Sequence, residues 1–143
     1  HYHCLLNGAP PAELKSAIMA GRSITLCFPQ YRIVSSAMVG GILPIGVGLA
    51  MGIKRRGGAA RVHVFLGDMT WHTGIAHECL KYANSHMLNV RFVIEDNGIS
   101  VCTPTGPTWG FTLPGMIDGA VEFNHYPYHS KYPHAGAGKR IEF

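Results

Sequence analysis

Two residues of this chain, Asp68 and Asn97, have the type and the setting for metal and phosphate chemistry. Each is an oxygen donor just beyond a short apolar run. Arg61-Val62-His63-Val64-Phe65-Leu66-Gly67 leads into Asp68, and Val90-Arg91-Phe92-Val93-Ile94-Glu95 leads into Asp96-Asn97-Gly98. In an open α/β sheet, ligands bind beyond the carboxyl ends of the strands. Mg²⁺ takes oxygen ligands and is held by one or two carboxylates together with substrate phosphates. The local reading is a Mg²⁺-diphosphate site at the end of a sheet. Gly-Asp and Asp-Asn-Gly also suit ordinary turns after strands, so the two runs alone leave both readings open. A second constellation, His72, His77 and His86 with Cys79, has the residue types for zinc. It lacks HExxH spacing and any four-ligand pattern, so these read as packing and helix-surface histidines. Trp71 and Trp109 read as core or interface residues.

The elements that must position Asp68 and Asn97 follow from patterning. Residues 61–67 and 90–95 are β-prone, and a helix is expected between them from about Trp71 to Met87. Its buried side would be Ile75, Cys79, Leu80, Tyr82 and Ala83. Strand, helix, strand within ~35 residues is a βαβ unit, which requires parallel strands. The fold class is therefore α/β, a parallel sheet with flanking helices. Upstream, Pro11-Ala12-Glu13-Leu14 opens a short helix with Leu14, Ile18 and Met19 on one face and Gly21 as its stop. Residues 22–36 are mixed and β-prone. Another helix runs from about Leu43 to Arg56, where a basic last turn and Gly57-Gly58 suit a C-terminus. From Thr103 onward Pro, Gly, Tyr and His dominate without periodicity. The expected organisation is an α/β domain over residues 1–103 and a tail over residues 104–143, packed on the domain or on a partner. The tail's aromatics, Phe123, Tyr126, Tyr128, Tyr132 and Phe143, read as a docking arm rather than a substrate site.

Residues 33–53 carry no charge and precede Lys54-Arg55-Arg56, which fits a membrane span in length and flank. Five glycines, Pro44 and two serines in the stretch argue instead for a buried, closely packed helix, so no membrane is expected. The 143 residues suit one domain. Only 14% are charged, against ~25% typically. Part of the apolar surface is thus expected to be covered by a partner chain or by further sequence. The net charge of +4 is scattered, without the basic stripe that a nucleic-acid surface needs. Cys4, Cys27, Cys79 and Cys102 include no CxxC pair, which reads as reduced thiols in the cytoplasm. The chain opens on His1 rather than Met, as if it began inside a motif.

Gly67-Asp68-Met69 with Glu95-Asp96-Asn97-Gly98-Ile99-Ser100 resembles the thiamine diphosphate motif, in which Gly-Asp-Gly is followed at a set distance by Asn-Asn or Asp-Asn. Asn97 follows Asp68 by 29 positions, similar to the alpha subunits of 2-oxoacid (pyruvate) dehydrogenases. The stretch from Met38 through Gly40-Gly41, Pro44, Gly46 and Gly48 to Ala50 is similar to a further alpha-subunit segment. His1 to Gly8, followed by Glu13-Leu14, resembles an earlier one. Gly74-Ile75-Ala76-His77-Glu78 and Gly98-Ile99-Ser100 look like transketolase segments. The resemblance runs colinearly over residues 1 to about 103.

It implies thiamine diphosphate and Mg²⁺ as cofactors. Asp68, the side-chain oxygen of Asn97 and the backbone carbonyl of Ile99 would ligate Mg²⁺. Gly67, Met69 and Thr70 would lie against the diphosphate, and Ala37 and Val39 would meet the aminopyrimidine through their backbone. His1 would be the catalytic residue, near the diphosphate or the reacting carbon. The implied activity is decarboxylation of a 2-oxo acid with acyl transfer, an oxidoreductase component within a hetero-oligomer. Ketol transfer on a sugar phosphate, or a cofactor-binding subunit without turnover, are the alternatives. Cofactor activation in the family needs a glutamate from a pyrimidine-binding domain, which these residues do not supply. A beta-like partner subunit or second polypeptide half is therefore implied. Three departures stand out. Met69 replaces the motif's third glycine, the Tyr-Arg expected before His1 is not in the chain, and no sheet continuation is visible after the second strand.

Overall fold

The structure, a computed structural model, describes residues 1–110, 121–129, 131 and 132. The chain falls into two units, His1–Ile42 and Leu43–Phe143. In the first, α1 (Tyr2–Leu6) and α2 (Pro11–Met19) are followed by β1 (Cys27–Phe28) and β2 (Ile33–Val34), an antiparallel pair. A 3₁₀ turn over Pro29–Tyr31 joins the two strands. Pro11 stands in the first turn of α2, where its missing N–H costs nothing, and Glu13 faces the positive end of the helix dipole. Gly21, at φ +77, ends the helix in a left-handed conformation that glycine adopts without strain. Cys4, Ala9, Leu14, Ala17 and Leu26 form the core, with Phe28, Tyr31 and Ile33 packed against it. The expected face of α2 is corrected. Leu14 and Ala17 are buried, whereas Ile18 and Met19 are exposed. So small a core covers only a narrow stripe of a nine-residue helix.

The second unit is built on α3 (Ile42–Arg55) and a sheet of β3 (Val62–Gly67), β4 (Val90–Asp96) and β7 (Glu122–Pro127). Between them lie α4 (Asp68–Trp71), α5 (Gly74–Ser85), the β5–β6 hairpin (Ile99–Ser100, Thr103–Pro104) and α6 (Thr105–Trp109). The sheet order is β3-β4-β7, parallel throughout. The expectation that the sheet stops after the second strand is thus corrected by β7. On one face, Val64 and Leu66 of β3 stand beside Phe92 and Ile94 of β4, all buried. Phe123 of β7 extends this face, pairing with Phe92. Trp71 packs on both phenylalanines, with ring centroids 6.3 and 5.8 Å away. Fully burying each such side chain contributes about 1.5–3 kcal/mol. α3 also lies on this face. A Cβ at Gly46 would come within 2.3 Å of Val64 Cγ2, so only glycine permits that approach.

The single helix expected from Trp71 to Met87 is two helices. Thr73 is extended (φ −77, ψ 151) and caps α5, while its hydroxyl donates to the Thr70 carbonyl at 2.7 Å. The buried side of α5 is Ala76, Cys79, Leu80 and Ala83. Ile75 and Tyr82, expected inside, are exposed and line an open groove against α3. Among the described residues no helix is long and apolar enough to cross a membrane. The uncharged stretch 33–53 is divided between β2, a turn and α3. Phe143 of the expected docking arm lies outside the described residues.

Candidate functional site

Parallel pairing in register from Val62↔Val90 to Gly67↔Glu95 brings β3 and β4 to the same edge of the sheet. Neighbouring strands run ~4.8 Å apart. Asp68 and Asn97 therefore follow adjacent strand ends, as the sequence reading expects. α4, which Asp68 opens, packs against β3, β4 and β5. Asp68 is 3% exposed, and its Oδ2 is buried without a hydrogen-bond partner.

The chain beyond β4 folds into two overlapping Asx turns. Asp96 Oδ1 accepts the Gly98 N–H at 2.9 Å, and Asn97 Oδ1 accepts the Ile99 N–H at 3.2 Å. Gly98 sits at φ +71, which the turn requires and glycine tolerates. The β5–β6 hairpin then pairs Ile99 with Pro104. The Thr105 N–H donates to the Gly98 carbonyl at 3.0 Å. That bond makes Ile99↔Pro104 a non-hydrogen-bonded pair, so the Ile99 carbonyl points out of the ladder.

A buried carboxylate oxygen without a partner is costly, and the great majority of such atoms are satisfied. A divalent cation beside Asp68 would satisfy it. Asn97 keeps a second lone pair on its amide oxygen, and Ile99 offers a carbonyl. An all-oxygen set of this kind fits Mg²⁺ rather than a softer metal. No group of three or more His, Cys, Asp and Glu able to hold a metal occurs among the described residues. The histidines considered for zinc are instead packed on separate aromatic rings. His72 stacks on Trp109, His77 tilts against Trp71, and His86 lies 4.2 Å from Tyr82.

Gly67 caps α4 in an extended conformation (φ −77, ψ 160). Met69 Sδ accepts the Trp109 indole N–H at 2.9 Å, so the side chain that replaces the motif glycine is engaged by α6. His1, Ala37 and Val39 belong to the first unit. His1 Nε2 is 3.1 Å from Ser23 Oγ. Ala37 and Val39 are exposed and flank Met38, whose N–H donates to Ser36 Oγ at 3.2 Å.

Sequence reasoning missed the contribution of β7. Its register sets Tyr126 opposite Glu95 and His125 diagonally from Asp96. The Tyr126 hydroxyl donates to Glu95 Oε1 at 2.5 Å, and that bond pushes the phenol up to about 12. His125 Nε2 lies 2.7 Å from Asp96 Oδ2, and the Tyr128 N–H donates to the Asp96 carbonyl at 2.7 Å. The one signal in the sequence was the apolar alternation Val121, Phe123. Thr105 was missed as well. It is 6% exposed, with a buried, unpartnered hydroxyl.

The family model for the dehydrogenase E1 component matches residues 18–109 of this chain. Among solved structures, the chain is similar to that of a candidate thiamin diphosphate-dependent enzyme isolated from Mycobacterium smegmatis, at 20% sequence identity and a TM-score of 0.46. That similarity covers 81% of this chain and 23% of the other, so the chain spans about a quarter of that protein. No curated protein matches the sequence.

Proposed function

The chain belongs to the dehydrogenase E1 component family, a thiamine diphosphate-dependent family, and from that premise we propose that it is the Mg²⁺-diphosphate-binding half of a 2-oxo acid dehydrogenase component. The observation that carries this reading is Asp68, buried at a strand's carboxyl end with one oxygen unpartnered. Asp68, Asn97 Oδ1 and the Ile99 carbonyl hold Mg²⁺. Gly67, Met69 and Thr70 meet the diphosphate through their backbone around the start of α4, where a helix N-terminus favours an anion. Ala37 and Val39 contact the aminopyrimidine, and His1 stands near the diphosphate or the reacting carbon. These three assignments rest on the resemblance. When bound, thiamine diphosphate supplies the nucleophilic thiazolium carbon and the electron sink, and this chain binds and orients it. The pyrimidine-binding half comes from a partner subunit or a second polypeptide half. Four unpaired thiols, with Cys27 and Cys102 exposed, support a reducing compartment such as the cytoplasm.

Calorimetry with thiamine diphosphate, with and without Mg²⁺, tests the assignment. Binding is expected only with Mg²⁺, and Asp68→Ala and Asn97→Ala are each expected to abolish it. Unchanged affinity in both variants would sink the site. A cofactor-binding subunit without turnover is the second reading. It predicts the same binding but no product when the partner is supplied.

A further inference from the structure

The turn that carries Asn97 and Ile99 is held from outside by the edge strand. β7 pairs with β4 through Asp96↔Pro127, so its last residues flank the end of β4 on both faces of the sheet. On one face Tyr126 is bonded to Glu95. On the other, His125 reaches Asp96 Oδ2 at 2.7 Å. A carboxylate accepts only, so the imidazole N–H donates in this bond. The other oxygen of the same carboxylate accepts the Gly98 N–H, and the Tyr128 N–H fixes the Asp96 carbonyl. Asp96 is thus clamped between β7 and the turn, and it precedes Asn97 directly. A charge-assisted hydrogen bond is roughly twice as strong as a neutral one.

We propose that His125 is a positioning residue for the Asn97–Ile99 turn: through the Asp96 carboxylate it fixes the orientation in which the Asn97 amide and the Ile99 carbonyl are presented. The proposal rests on the reading of those two groups as Mg²⁺ ligands, but its geometry belongs to this chain alone. His125 touches neither metal nor cofactor. It acts through the hydrogen-bonded relay from β7 to Asp96 to the Gly98 amide. Support of this kind is what keeps metal ligands within a fraction of an ångström of productive geometry.

The test uses the full chain and two readouts. Backbone amide exchange at Gly98 and Ile99, followed by NMR without metal, is expected to rise roughly tenfold in His125→Phe, which keeps the ring but cannot donate. His125→Gln, whose amide can donate to Asp96, is expected to restore protection. The urea midpoint identifies folded variants, and if His125→Phe does not fold, His125→Leu read against His125→Gln carries the same comparison. Calorimetry with Mg²⁺ and thiamine diphosphate is expected to show affinity weakened roughly tenfold in His125→Phe and recovered in His125→Gln. Unchanged exchange in folded His125→Phe, or loss without rescue by His125→Gln, overturns the proposal. Faster exchange with rescue, combined with unaltered cofactor affinity in Asp68→Ala, upholds the clamp and overturns the metal-site reading instead.

Discussion

Asp68 and Tyr126 illustrate opposite solutions to placing a polar group at a strand end. Asp68 leaves one carboxylate oxygen buried and unpartnered, a cost that a cation bound there would remove. Tyr126 gives its proton to a hydrogen bond with Glu95, and that bond favours the neutral phenol. Its ionisation is displaced from 10.0 to about 12. The pH dependence follows from the raised value. The stabilisation is fully present below the unfolded pKa of 10.0 and is lost as pH rises toward about 12. Ultraviolet titration of the tyrosines should therefore show a late-ionising phenol near pH 12 that disappears in Tyr126→Phe. Tyr31 also ionises late, because its hydroxyl donates to Glu13 at 2.6 Å and burial adds to the effect. A titration with no tyrosine above the usual range would mean that neither bond exists in solution.

At the scale of elements, α3 turns its glycines to different uses. Gly46 lies on Val64, where an added Cβ would approach to 2.3 Å, whereas Gly48 and Gly52 have nothing within 4 Å of such a carbon. Alanine improves helix propensity by roughly 0.8–1.0 kcal/mol at any of the three. At Gly46 that gain is outweighed, because overpacking a close contact costs about 1–3 kcal/mol. Gly46→Ala is expected to lower the urea midpoint of the isolated chain, and Gly48→Ala and Gly52→Ala to raise it. Equal effects at all three positions would refute the packing of α3 on β3. The break between α4 and α5 matters as much. It releases Asp68 to α4, which sits on β4 and β5, instead of leaving it at the foot of one long helix.

The whole molecule shows where the low charge count leads. Ile45, Leu49, Ile75 and Tyr82 on α3 and α5 are all exposed, as are Tyr126 and Tyr128 on and beside β7. So much exposed apolar surface agrees with the expectation of a chain that is covered by something else. Under the proposed function, purification from the source cell should recover a partner with a pyrimidine-binding domain, and the isolated chain should turn nothing over. Turnover by the monomeric chain alone would refute the division of the site between two halves.

Much of the local structure was legible in the residues themselves. The β-prone runs before Asp68 and Asn97 became β3 and β4, and Pro11, Glu13 and Gly21 bounded a helix by rules that depend only on neighbours in the chain. The strand-end positions of Asp68 and Asn97 were legible for the same reason, since both follow directly on runs that patterning reveals, and the family resemblance came from several colinear segments together. Tertiary structure alone decided the rest. β7 is an edge strand of mostly polar residues, Glu122, Asn124, His125 and Tyr126, and it becomes a strand only by pairing with β4. The burial of Asp68 and the hold of His125 on Asp96 depend on that pairing and on the seat of α4 against the sheet. No periodicity within either segment could encode contacts made between strands 29 residues apart.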